Sequence, residues 1–532
     1  MPPRRTLRPV YQDRLPPCNR ACPAGEHVQA WLAEAQAGRY RAAWELILRD
    51  NPFPAVHGRV CYHPREDACN RGAVDDALSV HAIERFIGDL ALEQRWPVGA
   101  PPPASGKRVL VVGAGPSGLS AAWQLARRGH AVSIFDAGPV AGGMMHFGIP
   151  KYRLPREILD AEIARIVRLG VEIHLNRRVV DLEKETADGR FDAVFLAVGA
   201  HLSKRQEIPA TDVPGIYDAI QFLRQVESGG EPRIGRRVAI YGGGNTAIDA
   251  ARTARRLGAE PLIIYRRTRS EMPAHDFELQ EALEEGVSVH WLRTIKEMHG
   301  STIRVEVMRL DDNRRPVPTG EFETLEADSL VLAVGQETDT TFLRNVAGIE
   351  FTPDGAVIVG DDMQTGRAGV FAGGDMVPYE RTVTTAVGHG QAAARNIDAY
   401  LTGAQNVAPE QREDASFETL RLWFAPDADR RPQPRLSIEQ RLATFGEVTG
   451  GFDEPTARFE AQRCFSCGNC FECDGCYGAC PESAIRKLGP GRRYEYDLEK
   501  CTGCAICFEQ CPCGAIVMVP ETAEEGRRCL PT

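Results

Sequence analysis

The chain has 532 residues, 43% of them hydrophobic and 26% charged, with a net charge of -10. That length exceeds what one hydrophobic core supports, so several globular domains are expected. The acidic balance shows no basic patch, which argues against a nucleic-acid partner. No apolar run nears the roughly 20 residues of a membrane span, and no apolar stretch follows the N-terminal arginine pair, so a cytoplasmic location is expected.

The 16 cysteines stand at the two ends: Cys18, Cys22, Cys61 and Cys69, then twelve from Cys464 onward. In a large chain without an export signal this clustering points to metal sites rather than disulfides. Between the first four, Val28, Trp31, Leu32 and Ala35, then Tyr40, Ala43, Trp44, Ile47 and Leu48, recur at helical spacing. A small helical unit is predicted, closing at the linker WPVGAPPPASG, 96–106.

The texture then changes to alternating strands and helices. In KRVLVVGAGPSGLSAAWQLARRG, 107–129, Gly113, Gly115 and Gly118 form G-x-G-x-x-G between an apolar strand and an alanine-rich helix. The first glycine permits the turn, the second lets a pyrophosphate approach the backbone, and the third brings helix and strand together. Asp136 follows at the end of a second strand, where a carboxylate accepts hydrogen bonds from a ribose. A second unit begins at 236–258, with Gly242, Gly244 and Ala247 in the G-x-G-x-x-A form. At the equivalent of Asp136 it carries Tyr265, then Arg266 and Arg267. Guanidinium groups suit a 2'-phosphate that a carboxylate repels, so NADPH is favoured over NADH. The apolar runs 191–200 and 327–336 read as one buried strand per unit, and GVFAGGDMV with the following helix, 369–397, as a return to the first domain. The first site suits FAD, with Asp375 at its ribityl chain or pyrophosphate. Hydride transfer between the two rings needs stacking more than acid-base residues, so no catalytic residue is nominated.

Residues 403–450 read as a connector. Beyond it, Cys470, Cys473, Cys476 and Cys480 before Pro481, and Cys501, Cys504, Cys507 and Cys511 before Pro512, are two C-x2-C-x2-C-x3-C-P runs. In two-cluster ferredoxins the fourth cysteine of each run serves the other cluster. One [4Fe-4S] cluster would use Cys470, Cys473, Cys476 and Cys511, the other Cys501, Cys504, Cys507 and Cys480. Cys464, Cys467, Cys513 and Cys529 are left over. Registers that bring Cys464 and Cys467 into the first cluster stay open.

These residues, with CNRACP at 18–23, GRVCYHP at 58–64, GGMMHFGIPKYRLP at 142–155, GGGNTAID at 242–249, YRRTRSEMP at 265–273 and AGGD at 372–375, resemble the glutamate synthase small-subunit type of flavin-dependent NAD(P)H oxidoreductase. The resemblance covers nearly the whole chain. It implies an α/β chain with two Rossmann-like dinucleotide-binding domains, an N-terminal α-helical iron-sulfur domain at 1–98, and an α+β bacterial-type ferredoxin domain at 456–520. The FAD domain is expected at 105–230 and 366–405, the NADPH domain at 231–365, and the connector at 406–455. FAD would meet Gly113, Gly115, Pro116, Ser117, Gly118, Asp136, Gly142, Gly143, Gly148, Ile149, Gly374, Asp375 and Thr384, with Arg153 and Gly199 in the same cofactor set. NADPH would meet Gly242, Gly244, Asn245, Thr246, Arg266 and Arg267. Two-cluster relatives carry further cysteines near the N-terminus. Here Arg65 and Asp67 stand in that region, so Cys18, Cys22, Cys61 and Cys69 are expected to form one [4Fe-4S] site, with zinc as the structural alternative. The implied partner is a redox protein: a ferredoxin, or a subunit of the 2-oxoacid oxidoreductase, sulfite reductase or glutamate synthase kind. The rival of another class is a non-catalytic electron-transfer module.

Overall fold

Short apolar runs that are buried on both faces pair in parallel when helices cover both sides, and two sheets form in this way. In the computed structural model, which describes residues 5–204, 208–211, 213, 215–404, 412–423 and 425–521, the first sheet is ordered Val370–Ala372, Ala193–Leu196, Arg108–Val112, Ala131–Phe135, Glu172–His174. All four of its pairings are parallel. Its first strand in that order comes from the late segment, so the chain returns to its first sheet after roughly 170 residues elsewhere, the size of one domain. The second sheet is ordered Ser288–Trp291, Glu260–Tyr265, Arg237–Tyr241, Ser329–Leu332, Gly215–Asp218, again all parallel.

Two stretches lie in different units from those the sequence suggests. Strand Gly215–Asp218 and helix Ala219–Glu227 join the second sheet, where Phe222 and Leu223 pack with Val238 and Ile248. Leu343, Val346, Ile349 and Val357 pack instead on Leu110 and Val112 of the first sheet. Neither shift carries a turn or composition signal, because the choice is made by long-range strand pairing. An antiparallel group, Arg293–His299, Thr302–Leu310 and Pro316–Glu326, also extends the second unit. In it Ile303 and Val305 turn inward while Thr302 and Arg304 face out, the period-2 pattern of a half-buried strand.

The N-terminal helices Val28–Gln36, Tyr40–Asp50, Pro54–Val60 and Val80–Glu93 bury the residues of the two stripes. The described part of segment 412–463 wraps this unit. Glu447 pairs with Arg59 and Arg85, Val448 N–H donates to the Tyr152 carbonyl, and helix Glu454–Gln462 lies against Val28–Gln36 and Val80–Glu93. Strand Leu7–Tyr11 does not belong to the helical unit. It pairs antiparallel with Ile516–Pro520, so the two chain ends close the C-terminal module together.

Helices Pro116–Ala126 and Val383–Thr402 cross with almost no space between their backbones. A Cβ on Gly390 would stand 2.3 Å from the Ser117 carbonyl oxygen and 2.8 Å from the Ala121 nitrogen. Gly390→Ala should therefore push apart the helix that opens the first glycine turn. The expected cost is about 1–3 kcal/mol of stability, read by urea unfolding, together with a lower flavin-to-protein ratio.

Candidate nucleotide and cluster sites

The two glycine turns open onto one cavity of about 960 Å³ that spans both sheets. Gly113 has φ +112°, and a Cβ there would lie 2.3 Å from the Ala197 carbonyl oxygen; Gly242, at φ +148°, repeats this against Ala333 at 2.2 Å. The second glycines differ in kind. Gly115 and Gly244 have extended backbone that any residue adopts, and a Cβ on either would meet nothing within 4 Å. Their missing side chains leave open space in front of the helices Pro116–Ala126 and Asn245–Arg256, whose first N–H groups are unpaired. A pyrophosphate fits that space and those donors.

Around the first turn, Asp136 accepts from the backbone N–H of Ala114 and Gly138, both at 2.6 Å, and each carboxylate oxygen keeps further acceptor capacity. Pro116, Ser117, Gly143, Gly148, Ile149, Gly199, Gly374 and Asp375 line the same cavity. Burial pushes the Asp375 carboxyl up to about 6 against the pull of Arg381. Around the second turn, Asn245, Thr246, Arg266 and Arg267 line the wall. The nearby carboxylate of Glu271 is engaged by Arg314 and Thr268, which reduces its repulsion of an incoming phosphate.

Four residues of the expected cofactor set do not line the cavity. Gly118 packs its helix on the strand, a Cβ there standing 2.0 Å from the Gly113 carbonyl oxygen, and Gly142 lies against Leu159 and His146. The Arg153 guanidinium turns from the cavity and donates to both oxygens of Asp249, at 2.9 and 2.8 Å, and pairs with Glu278. With Tyr152, whose ring lies under Arg256 at 3.8 Å, it ties the flavin-side loop to the second unit. Thr384, the second residue of its helix, is buried and its hydroxyl meets Cys61; Thr382 and Val383 line the cavity in its place. Val60 and Tyr62 of the N-terminal unit also line the cavity, Tyr62 stacking on His275 at 3.9 Å. Nothing in the spacing of GRVCYHP marks them for this position.

The C-terminal cysteines fall into two sets. Cys470, Cys473, Cys476 and Cys511 lie within electrostatic reach of one another, and Cys480, Cys501, Cys504 and Cys507 line one small cavity. These are the two crossed sets expected from the runs. Cys513 stands 3.7 Å from Cys511, and its thiol lowers the Cys511 pKa by hydrogen bonding. Cys529 lies outside the described residues.

The four N-terminal cysteines do not converge. Cys18 and Cys69 line a cavity with Cys464 and Cys467. Cys22 and Cys61 instead neighbour Arg65, whose buried guanidinium bridges Glu26, at 2.9 Å, and Glu84. Asn51 donates to both carboxylates, at 3.0 and 2.9 Å. Burial works against charge here, yet Arg65 holds Glu26 down to about 2. Burial and the neighbouring Glu26 push Glu84 far up, against the pull of Arg65. Where one four-cysteine N-terminal set was expected, the structure parts Cys22 and Cys61 from Cys18 and Cys69. The chain folds Cys18 and Cys69 toward residues some 400 positions later, a pairing that local spacing does not encode.

Zinc fits the cysteine sets poorly. Tetrahedral Zn–S bonds of about 2.3 Å draw sulfurs to roughly 3.8 Å apart. Among the described residues, the sets of three or more ligand atoms within 4.8 Å of one another are His63, Glu66, His81 and Glu26, His57, Glu84, with no cysteine in either.

Comparison with known proteins agrees with this geometry. Residues 107–390 match the pyridine nucleotide-disulphide oxidoreductase family, residues 11–96 match dihydropyrimidine dehydrogenase domain II, 4Fe-4S cluster, and residues 469–515 match the 4Fe-4S dicluster domain. The beta subunit of the NADP(+)-dependent formate dehydrogenase of Moorella thermoacetica is 40% identical over 85% of this chain and 70% of its own. The beta subunit of the NADPH-Fe(3+) oxidoreductase of Geobacter sulfurreducens is 33% identical over 85% of this chain and 75% of its own. The glutamate synthase [NADPH] small chain of Mycobacterium tuberculosis is 33% identical over 73% and 86%.

Because Gly244 faces open space, Gly244→Val should fill the second pyrophosphate position without disturbing the fold. The expected outcome is a KM for NADPH raised about tenfold or more, the loss of one or two phosphate hydrogen bonds, with flavin content unchanged.

Proposed function

This chain belongs to the pyridine nucleotide-disulphide oxidoreductase family, and we propose that it takes hydride from NADPH onto FAD and passes single electrons through [4Fe-4S] clusters to or from a partner redox protein. The observation that carries this is the single cavity shared by two glycine turns with different ribose chemistry, Asp136 at one and Arg266 with Arg267 at the other. Bound flavin supplies the exchange between two-electron hydride and one-electron transfer. The chain's own part is positional. Gly113 and Gly242 let each strand turn sharply into its helix. Gly115 and Gly244 keep the two phosphate positions clear. Arg153 and Tyr152 fix one unit against the other, so that both nucleotides share one enclosure.

The dicluster match at 469–515 favours a partner that accepts or gives single electrons over direct reduction of an organic substrate. No helix among the described residues is long and apolar enough to cross a membrane. We propose the partner as another subunit of an oxidoreductase complex or a free ferredoxin, since relatives carry the names beta subunit and small chain.

Purified protein should hold flavin and iron and reduce an artificial dye with NADPH; a protein without flavin, or with zinc in place of iron, contradicts the proposal. The Arg266→Ala, Arg267→Ala double variant should lose about 10–100-fold in kcat/KM for NADPH, the worth of charge-assisted hydrogen bonds to a phosphate. Its kcat/KM for NADH should be nearly unchanged, and steady-state kinetics with both nucleotides check the difference.

A further inference from the structure

We propose that Cys18, Cys69, Cys464 and Cys467 together hold a [4Fe-4S] cluster whose ligands come from both ends of the chain, and that Cys22 and Cys61 hold none. The inference rests on the cluster-bearing flavoprotein read above and changes which residues make its third cluster. Neither family match spans the set. The N-terminal match ends at residue 96 and the dicluster match begins at residue 469, past both Cys464 and Cys467.

Three observations carry it. The four cysteines line one cavity whose other walls include the apolar Pro16, Leu32, Leu78, Val80 and Phe465 and the polar Gln29, Asn70 and Arg71, a largely enclosed surround that can tune a cluster. Donors are aimed at the sulfurs. Ser466 N–H donates to Cys464 Sγ at 3.3 Å, Asn70 Nδ2 donates to Cys467 Sγ at 3.4 Å, and backbone N–H groups of Arg71 and Leu78 reach Cys69. Buried donors pointed at sulfur are explained if the sulfur is a metal-bound thiolate, a far better acceptor than a thiol.

The third observation is the backbone. In the two ferredoxin loops, the residues just before and just after the second cysteine of the run are left-handed: Glu472 at φ 61° and Asp474 at 65° around Cys473, Gly503 at 74° and Ala505 at 64° around Cys504. The loop Cys464-Phe465-Ser466-Cys467-Gly468 repeats this, with Ser466 at φ 51° and Gly468 at 73°. Left-handed backbone is costly for Ser466, Glu472, Asp474 and Ala505. The same strained curl at three Cys-x2-Cys loops, wrapping backbone N–H groups toward sulfur, marks the same ligation. The loop is also fixed to its partner unit: Gln36 donates to the Cys464 carbonyl at 3.0 Å, and Asn70 to the Ala415 carbonyl at 2.9 Å.

Cys22 and Cys61 also receive N–H donors, Cys61 from the left-handed His63 at 3.4 Å and Cys22 from Glu26, but they stand away from the four-cysteine cavity. The space beside them is filled by the Arg65 guanidinium and its two carboxylates, a cation where cluster iron would need thiolates. Cluster binding at the proposed site instead replaces four S–H protons with four Fe–S bonds, and it clamps the segment after helix Glu454–Gln462 onto the N-terminal helices.

The test is iron and acid-labile sulfide per chain in the full-length protein purified without oxygen, with the EPR spectrum of the reduced protein beside it. Wild type should carry about twelve irons, three clusters of four. The Cys464→Ser, Cys467→Ser variant should fall to about eight, lose one EPR component and keep its flavin. The Cys22→Ser, Cys61→Ser variant should keep about twelve, which supports the assignment even if the first variant fails to fold. Wild type with about eight irons overturns the proposal, as do unchanged iron in the first variant or a loss of four irons in the second. Any of these with NADPH-driven dye reduction intact leaves the proposed function standing. Twelve irons without that reduction would instead sink the function and leave the ligand set.

Discussion

A dinucleotide pyrophosphate can be held by backbone alone only where a strand ends, a side chain is absent and a helix begins, because only there do several unpaired N–H groups point at open space. The chain meets that condition twice, at Gly115 and Gly244, and both positions open onto one cavity. Much of the fold serves this coincidence. Two parallel sheets present their glycine turns to a common space, and the buried Arg153–Asp249–Glu278 contacts join the units that carry them. A bidentate, buried pair of this kind is strongly geometric, and it explains why an arginine expected at the cofactor stands beside it.

The sequence disclosed what local patterns can encode. Helical stripes at Val28–Gln36 and Tyr40–Asp50, glycine turns between apolar strand and helix, and the spacing of the ferredoxin runs all rest on neighbours within about a dozen residues. What it hid was decided by long-range pairing. The ladder that gives Gly215–Asp218 to the second sheet, the joining of Leu7–Tyr11 to Ile516–Pro520, and the meeting of Cys18 with Cys464 have no local signal. Thr384 was missed by one residue: a helix N-terminus near a cofactor is legible, but which of its first residues faces the cavity depends on packing against Cys61.

Arg65 shows how one buried charge organises its surroundings. A buried guanidinium is tolerated only with carboxylates at hydrogen-bond distance, and Glu26, Glu84 and Asn51 provide that shell. Once such a network is complete it is held by many mutually dependent contacts, and Cys22 and Cys61 become small buried side chains at its edge. Cys18 and Cys69 face the opposite way, toward the returning chain. The ends of the sequence are thereby joined at two levels, by the strand ladder at Leu7–Tyr11 and by the cysteine cavity.

If one enclosure couples a nicotinamide to clusters through a flavin, an anaerobic titration with NADPH, followed by absorbance and EPR, reads both ends of that coupling. The flavin band should bleach and a reduced-cluster signal should grow within the same titration. A flavin that stays oxidised in excess NADPH, or one that bleaches while every cluster remains silent, would contradict it.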